Sequence, residues 1–136
     1  MKQGGTFWCF VLDLDDFKQV NDNHGHLAGD EVLRRVATVL RSSVRGQDLV
    51  GRVGGDEFAI LCSGPRGEDE IAAVARRILS MVAKETNFDF ICPGLSIGIA
   101  RVYDAEDLRD TFHRADKALY QVKQNDKNGF SIERVD

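Results

Sequence analysis

The stretch Thr6–Leu14 constrains the fold more than any other, because it is almost unbroken apolar sequence, rich in aromatics, that ends in carboxylates. A run of this length without polar alternation reads as a strand covered on both faces. A carboxylate at the mouth of such a strand is costly unless it is paired or holds a metal. Asp13 and Asp15 stand there, and they are read as pointing to opposite faces.

The elements after this run alternate in type. Asp15–His26, with its Asn, Asp and Gly, reads as a polar loop, and Leu27–Val44 carries a helical stripe of Leu33, Val36, Leu40 and Val44. Leu49–Val53 and Phe58–Cys62 are short apolar strands joined at Gly54-Gly55, where two glycines would supply the positive φ of a tight hairpin. After a break at Gly64-Pro65 comes a second helix, Asp69–Lys84. Gly94–Val102 reads as a strand whose small residues Ser96, Gly98 and Ala100 share one face, so something packs closely there. Leu108, Phe112, Ala115, Leu119 and Val122 mark a third helix, and Phe130–Val135 alternates as an edge strand. The order β-α-β-β-α-β-α-β, with helices on one face of a mostly antiparallel sheet, predicts an α+β sandwich of the ferredoxin-like kind in a single domain.

Composition excludes several classes. With 43% hydrophobic and 29% charged residues in 136, the chain is neither disordered nor fibrous. A net charge of −4 gives no basic face for nucleic acid. The apolar runs are too short to cross a bilayer, and no charged-then-apolar leader opens the chain. Cys9, Cys62 and Cys92 lack metal-ligand spacing and read as buried, reduced thiols, which suits the cytoplasm. His24 and His26 have no third ligand spaced to hold a metal with them.

The second acidic point is Asp56-Glu57, just after the glycine pair. If the first and third strands are neighbours, Asp13 and Asp56 converge at the hairpin. Two carboxylates and a backbone carbonyl are hard oxygen ligands that suit Mg²⁺ carrying waters and substrate phosphates. A polar turn with solvated carboxylates is the competing reading.

Four ordered blocks carry a resemblance. Gly54-Gly55-Asp56-Glu57-Phe58 spells GGDEF. Asp13 to Asp22 resembles D-x-D-x-F-K-x-x-N-D, Gly25 to Asp30 matches G-H-x-x-G-D, and Ala115 to Tyr120 matches A-D-x-A-L-Y. The chain thus resembles the GGDEF diguanylate cyclases, relatives of the nucleotidyl cyclases and polymerase palms, over nearly its whole length. The resemblance implies an enzyme that condenses two GTP into cyclic di-GMP and pyrophosphate as a transient two-fold homodimer, under product feedback. A degenerate domain that only binds GTP or cyclic di-GMP is the alternative, and intact Asp13, Asp56 and Glu57 argue against it.

By the same resemblance, Asp13, the Leu14 carbonyl and Asp56 would hold two Mg²⁺ (or Mn²⁺), with Glu57 orienting the turn or assisting the metal. The amides of Asp16, Phe17 and Lys18 would bind phosphate oxygens, and Gly54 and Gly55 would leave room for nucleotide. Asn21 and Asp30 would read guanine, whose N1–H and N2–H₂ donors match an acceptor-only carboxylate. For Asp30, a first-turn helix acid is the competing reading. Lys123 and Lys127, four apart and so on one helical face if the third helix reaches that far, would grip the triphosphate; a solvated basic face is the alternative. Lys127 stands in Asp126-Lys127-Asn128 where the family usually shows G-R-N, which keeps the charge and loses the guanidinium fork. Arg45 and Asp48 fit an R-x-x-D product-inhibition site, or else a surface ion pair. The family normally begins with a helix before the first strand, and here only five residues precede it. A catalytic module separated from a sensor domain is the expectation.

Overall fold

The apolar run folds as β1 (Phe7–Leu14), flanked on both sides by other strands. A computed structural model describes residues 7–63, 66–87, 91, 93–103 and 106–133. The remaining elements are α1 (Phe17–His24), α2 (His26–Ser43), β2 (Leu49–Arg52), β3 (Glu57–Ser63), α3 (Glu68–Glu85), β4 (Leu95–Val102), α4 (Leu108–Gln124) and β5 (Gly129–Ile132). The sheet order is β2-β3-β1-β4-β5. Every pairing is antiparallel except that of β4 with β5. The α+β architecture therefore stands, with β1 at its centre.

Helices cover both faces rather than one. Trp8, Phe10, Leu12 and Leu14 of β1 join Val36 and Leu40 of α2 and Ile71 and Ile78 of α3 in the larger core. Cys9 and Val11 point the other way, against Ala100 of β4 and Ala115 and Leu119 of α4. Side chains alternate along a strand, so a run apolar at every position needs apolar cover on each side. The contact expected at the small residues of β4 is made by α4. A Cβ on Gly98 would lie 2.1 Å from the Ala115 carbonyl oxygen, so only glycine lets this helix approach so closely.

The segment expected as a polar loop is mostly α1. Its eight residues bury only Val20 fully, with Phe17 packed at the core's edge. That is one short apolar stripe, too little for periodicity to register among Asn, Asp and His. Gly25, at φ 88°, separates α1 from α2 in a conformation that side chains rarely adopt.

Gly54 and Gly55 do not work as expected either, since neither has positive φ. The hairpin is closed instead by the Val53 and Gly54 amides, which donate to the Glu57 carbonyl. The Arg52 guanidinium braces it by donating to the Gly54 and Gly55 carbonyls. Cys9 and Cys62 are buried and unpaired, and burial pushes each thiol up to about 11. The expected Gly64-Pro65 break, Cys92, and the expected strand ends Thr6 and Val135 lie outside the described residues. No helix among the described residues is long and apolar enough to cross a membrane.

Candidate active site

The register of β1 against β3 sets Asp13 opposite Glu57. One residue on, the Leu14 amide donates to the Asp56 carbonyl at 3.2 Å. These backbone bonds bring the two acidic points to one end of the sheet, and the Asp13 carboxyl reaches the Asp56 carboxyl there. Asp13 titrates at about 6. Burial is the main cause, the neighbouring Lys123 opposes it, and Asp56 adds to it. Glu57 is also raised, by burial first and then by Asp116 and Asp56.

Asp13 and Asp15 share a face rather than parting. The Lys123 ammonium sits 3.2 Å from Asp13 Oδ2 and 3.1 Å from Asp15 Oδ1. Strand side chains repeat every second residue, so positions 13 and 15 belong to the same face. Burial works against the charge on Lys123, but the Asp15 and Asp13 carboxylates outweigh it and raise its pKa.

Whether this end of the sheet suits a cation is decided by one atom. Among the described residues, Asp13 Oδ1 and Arg66 Nε are the buried side-chain polar atoms without a hydrogen-bond partner. A buried carboxylate oxygen left unmet beside a second carboxylate fits a hard divalent ion. Among the described residues, no group of three or more His, Cys, Asp or Glu forms a cage for a metal by itself. Ligand oxygens would therefore have to complete the coordination. The Phe17 and Lys18 amides open α1 next to this point, where first-turn N–H groups have no intrahelical acceptor and favour anions. Asp16 precedes them in a left-handed conformation, and Lys127 Nζ lies 3.0 Å from its Oδ1.

Asp30 opens onto a cleft of about 380 Å³ between α2 and β2, walled by Leu33, Ala37, Val50, Gly51 and Phe58. It is the fifth residue of α2, and the first turn of that helix holds no acid, so the helix dipole does not explain it. Asn21 packs against the neighbouring Gly29, where a Cβ would lie 1.9 Å from Asn21 Oδ1.

Two of the ordered sequence blocks, the one at Asp13 and the one at Asp56, meet at the ends of β1 and β3. The family model "Diguanylate cyclase, GGDEF domain" matches residues 1–129. The chain belongs to the GGDEF family. It is 32% identical over 96% of its length to diguanylate cyclase DgcS of Shewanella oneidensis, covering 44% of that protein. It is 39% identical over 93% of its length to diguanylate cyclase DosC of Escherichia coli K12, covering 28% of that protein. The chain thus spans less than half of either relative. Among solved structures, the GGDEF domain of DgcB from Caulobacter crescentus, in complex with c-di-GMP, superposes with a TM-score of 0.87 at 31% identity. That match covers 95% of this chain and 78% of the other. The active GGEEF domain of a diguanylate cyclase from Vibrio cholerae gives 0.87 at 32%, covering 96% and 85%.

The two lysines and the Arg45–Asp48 pair stand differently from either reading of them in the sequence. α4 ends at Gln124, and Lys127 follows in a left-handed turn with Asn128, so Lys123 and Lys127 do not share a helical face. Both ammonium groups still reach this end of the sheet, on Asp13 and Asp15 and on Asp16. Nor do Arg45 and Asp48 form a surface ion pair. The Arg45 side chain pairs with Glu70. The Asp48 carboxylate is fully enclosed, accepting from the Ser63 and Arg45 amides and from Arg66. Burial opposes its ionisation, but those donors prevail and hold its pKa low. Asp48 shapes the Arg45 loop and has no free oxygen for a ligand.

Sequence reasoning gives no site role to Asp15, Ser96 or Arg52, which the structure places around this end of the sheet. Asp15 is buried and accepts from Ser96 Oγ at 2.7 Å and from the Asn128 amide at 2.8 Å. The D-x-D spacing carries that signal, because a period of two puts positions 13 and 15 on one face.

The position of Asp13 has a consequence for stability. Its folded pKa lies above the ordinary 3.8, so the folded state holds this proton more tightly than the unfolded chain. That stabilisation is complete below the ordinary value and is lost as pH rises through about 6. Asn has no charge to desolvate there. In chelator, the Tm of Asp13→Asn should therefore rise relative to the unsubstituted chain between about pH 4 and pH 8. Parallel Tm curves across that range would contradict this.

Proposed function

We propose that this GGDEF domain condenses two GTP into cyclic di-GMP and two pyrophosphates, each domain presenting one GTP to a two-fold related copy. The observation that carries the reading is the meeting of Asp13 and Asp56 around an unpartnered buried carboxylate oxygen, beside the N-terminus of α1. Its sequence relatives, named diguanylate cyclases, support it. Asp13, the Leu14 carbonyl and Asp56 would hold two Mg²⁺ (or Mn²⁺). When bound, such ions supply charge neutralisation on the triphosphate and acidify the attacking 3′-hydroxyl.

The chain's own groups do the rest. The Asp16, Phe17 and Lys18 amides and the Lys123 and Lys127 ammoniums hold phosphate oxygens, and this orients the α-phosphate for in-line attack. The 3′-oxygen of each GTP, its proton passing to solvent, bonds to the α-phosphorus of the other, and each bond to pyrophosphate breaks, so that the ring closes and two pyrophosphates leave. Glu57 keeps the turn in place beside Gly54, and the open space at Gly55 admits the nucleotide. The intact pair Asp13 and Asp56 disfavours a receptor that merely binds GTP, which has no use for both metal points.

Asp30, at the α2–β2 cleft, and Asn21, packed against Gly29, select guanine. Asp30→Ser should cost about 1–3 kcal/mol of GTP binding, because guanine's paired donors lose a charged acceptor. Calorimetry with GTP and ATP checks this, and unchanged discrimination between them would remove Asp30 from the pocket. Arg45 is the residue we assign to feedback by cyclic di-GMP, since its guanidinium is exposed and only surface-paired. Arg45→Ala should weaken cyclic di-GMP binding about tenfold or more while leaving GTP binding unchanged. Equal product affinity in the two proteins would make Arg45 a surface residue only.

A further inference from the structure

We propose that Asp15 is a positioning residue that sets both triphosphate-binding lysines, and that it is not a metal ligand; this rests on the reading of the site given above. Its carboxylate is 5% exposed, and both oxygens are engaged. Oδ1 accepts from Ser96 Oγ at 2.7 Å and from Lys123 Nζ at 3.1 Å. Oδ2 accepts from the Asn128 amide at 2.8 Å, and Gly94 packs so closely that a Cβ there would lie 2.7 Å away. No room is left on Asp15 for a cation. Asp13, two residues earlier, keeps the unpartnered oxygen. The two aspartates therefore divide the work. One offers an open oxygen, and the other is consumed in holding the frame.

That frame joins segments remote in sequence. Asp15 ties the end of β1 to β4 through Ser96 and the Gly94 carbonyl, which accepts from the Asp15 amide at 2.8 Å. It ties β1 to α4 through Lys123. Through the Asn128 amide it pins the left-handed Lys127–Asn128 turn, where φ is 56° and 46°. The turn in turn delivers Lys127 Nζ to Asp16 at 3.0 Å. A buried carboxylate with these partners is expensive to retain unless its charge orients something. What it orients is a pair of ammonium groups that would otherwise swing on four-carbon stems.

The test is a substitution cycle on the full chain, read by calorimetry with GTP and Mg²⁺. Asp15→Asn should weaken GTP binding about tenfold when both lysines are present, as loss of a supporting partner commonly does. In a background carrying both Lys123→Gln and Lys127→Gln the same change should cost about twofold or less, because both groups it acts through are gone. Ser96→Ala removes one bond to Asp15 while leaving the carboxylate in place. It should show the same dependence on the two lysines with a smaller effect, so the question stays decidable if Asp15→Asn fails to fold. Full additivity in both backgrounds would reduce Asp15 to a structural residue and overturn the proposal. GTP binding by the unsubstituted chain with additive losses overturns this inference alone. No GTP binding by the unsubstituted chain overturns the proposed function with it.

Discussion

Asp56→Ala is expected to abolish conversion of GTP to cyclic di-GMP while leaving the domain folded. The substitution removes one of the two carboxylates that meet at the hairpin. It spares the backbone bond from the Leu14 amide to the Asp56 carbonyl, which fixes the turn against β1. The Arg52 brace on the Gly54 and Gly55 carbonyls also survives. The lost group is asked to help hold ions worth several kcal/mol to the transition state, and about 4 kcal/mol corresponds to about a thousandfold in rate. Stability should hold or rise, because Asp56 is one of the causes that push Asp13 above its ordinary range. Product assay and thermal melts on the same preparation separate the two effects. Turnover within tenfold of the unsubstituted rate would remove Asp56 from the site.

The largest stability effect is expected at Gly98. Its missing Cβ would lie 2.1 Å from the Ala115 carbonyl oxygen and 2.3 Å from the Leu119 amide nitrogen, both backbone atoms of α4. Neither can rotate aside as a flexible side chain would, so the whole helix must shift off β4. Overpacking of this kind costs about 3 kcal/mol, which for a domain of this size is a Tm fall of about 10 °C. The site should suffer too, because α4 carries Lys123 to Asp13 and Asp15. A Gly98→Ala protein that melts with the unsubstituted chain would show that α4 does not pack as described.

Much of this fold is legible in the apolar patterns. The continuous run of β1, the stripes of α2, α3 and α4, and the small face of β4 each follow from residues whose spacing leaves little choice. α1 is not legible, because eight residues with Phe17 and Val20 as their apolar contacts do not make a period. Cover on both faces is legible in the unbroken run of β1, and the element order alone wrongly suggests helices on one face. At the site, Asp13 and Asp56 are readable because strand adjacency follows from the fold. Asp15 shares the face of Asp13 because strand side chains repeat every second residue, not the opposite face that the sequence reading gives it. The positions of Lys127 and Asp48 depend on where a helix stops and on a buried arginine, Arg66, arriving from elsewhere in the chain. The hairpin is the clearest case. Two glycines suggest positive φ, yet the turn owes its shape to Arg52, a residue that no turn rule singles out.

Whether the acidic end of β1 and β3 carries out the condensation is read directly by chromatography of products. Two copies of the chain joined by a flexible linker, so that two GTP-loaded domains can meet, are incubated with GTP and Mg²⁺. Cyclic di-GMP and pyrophosphate are expected, at a higher rate per domain than from the untethered chain. GTP that is bound by the tethered pair and recovered unchanged would contradict condensation at this site.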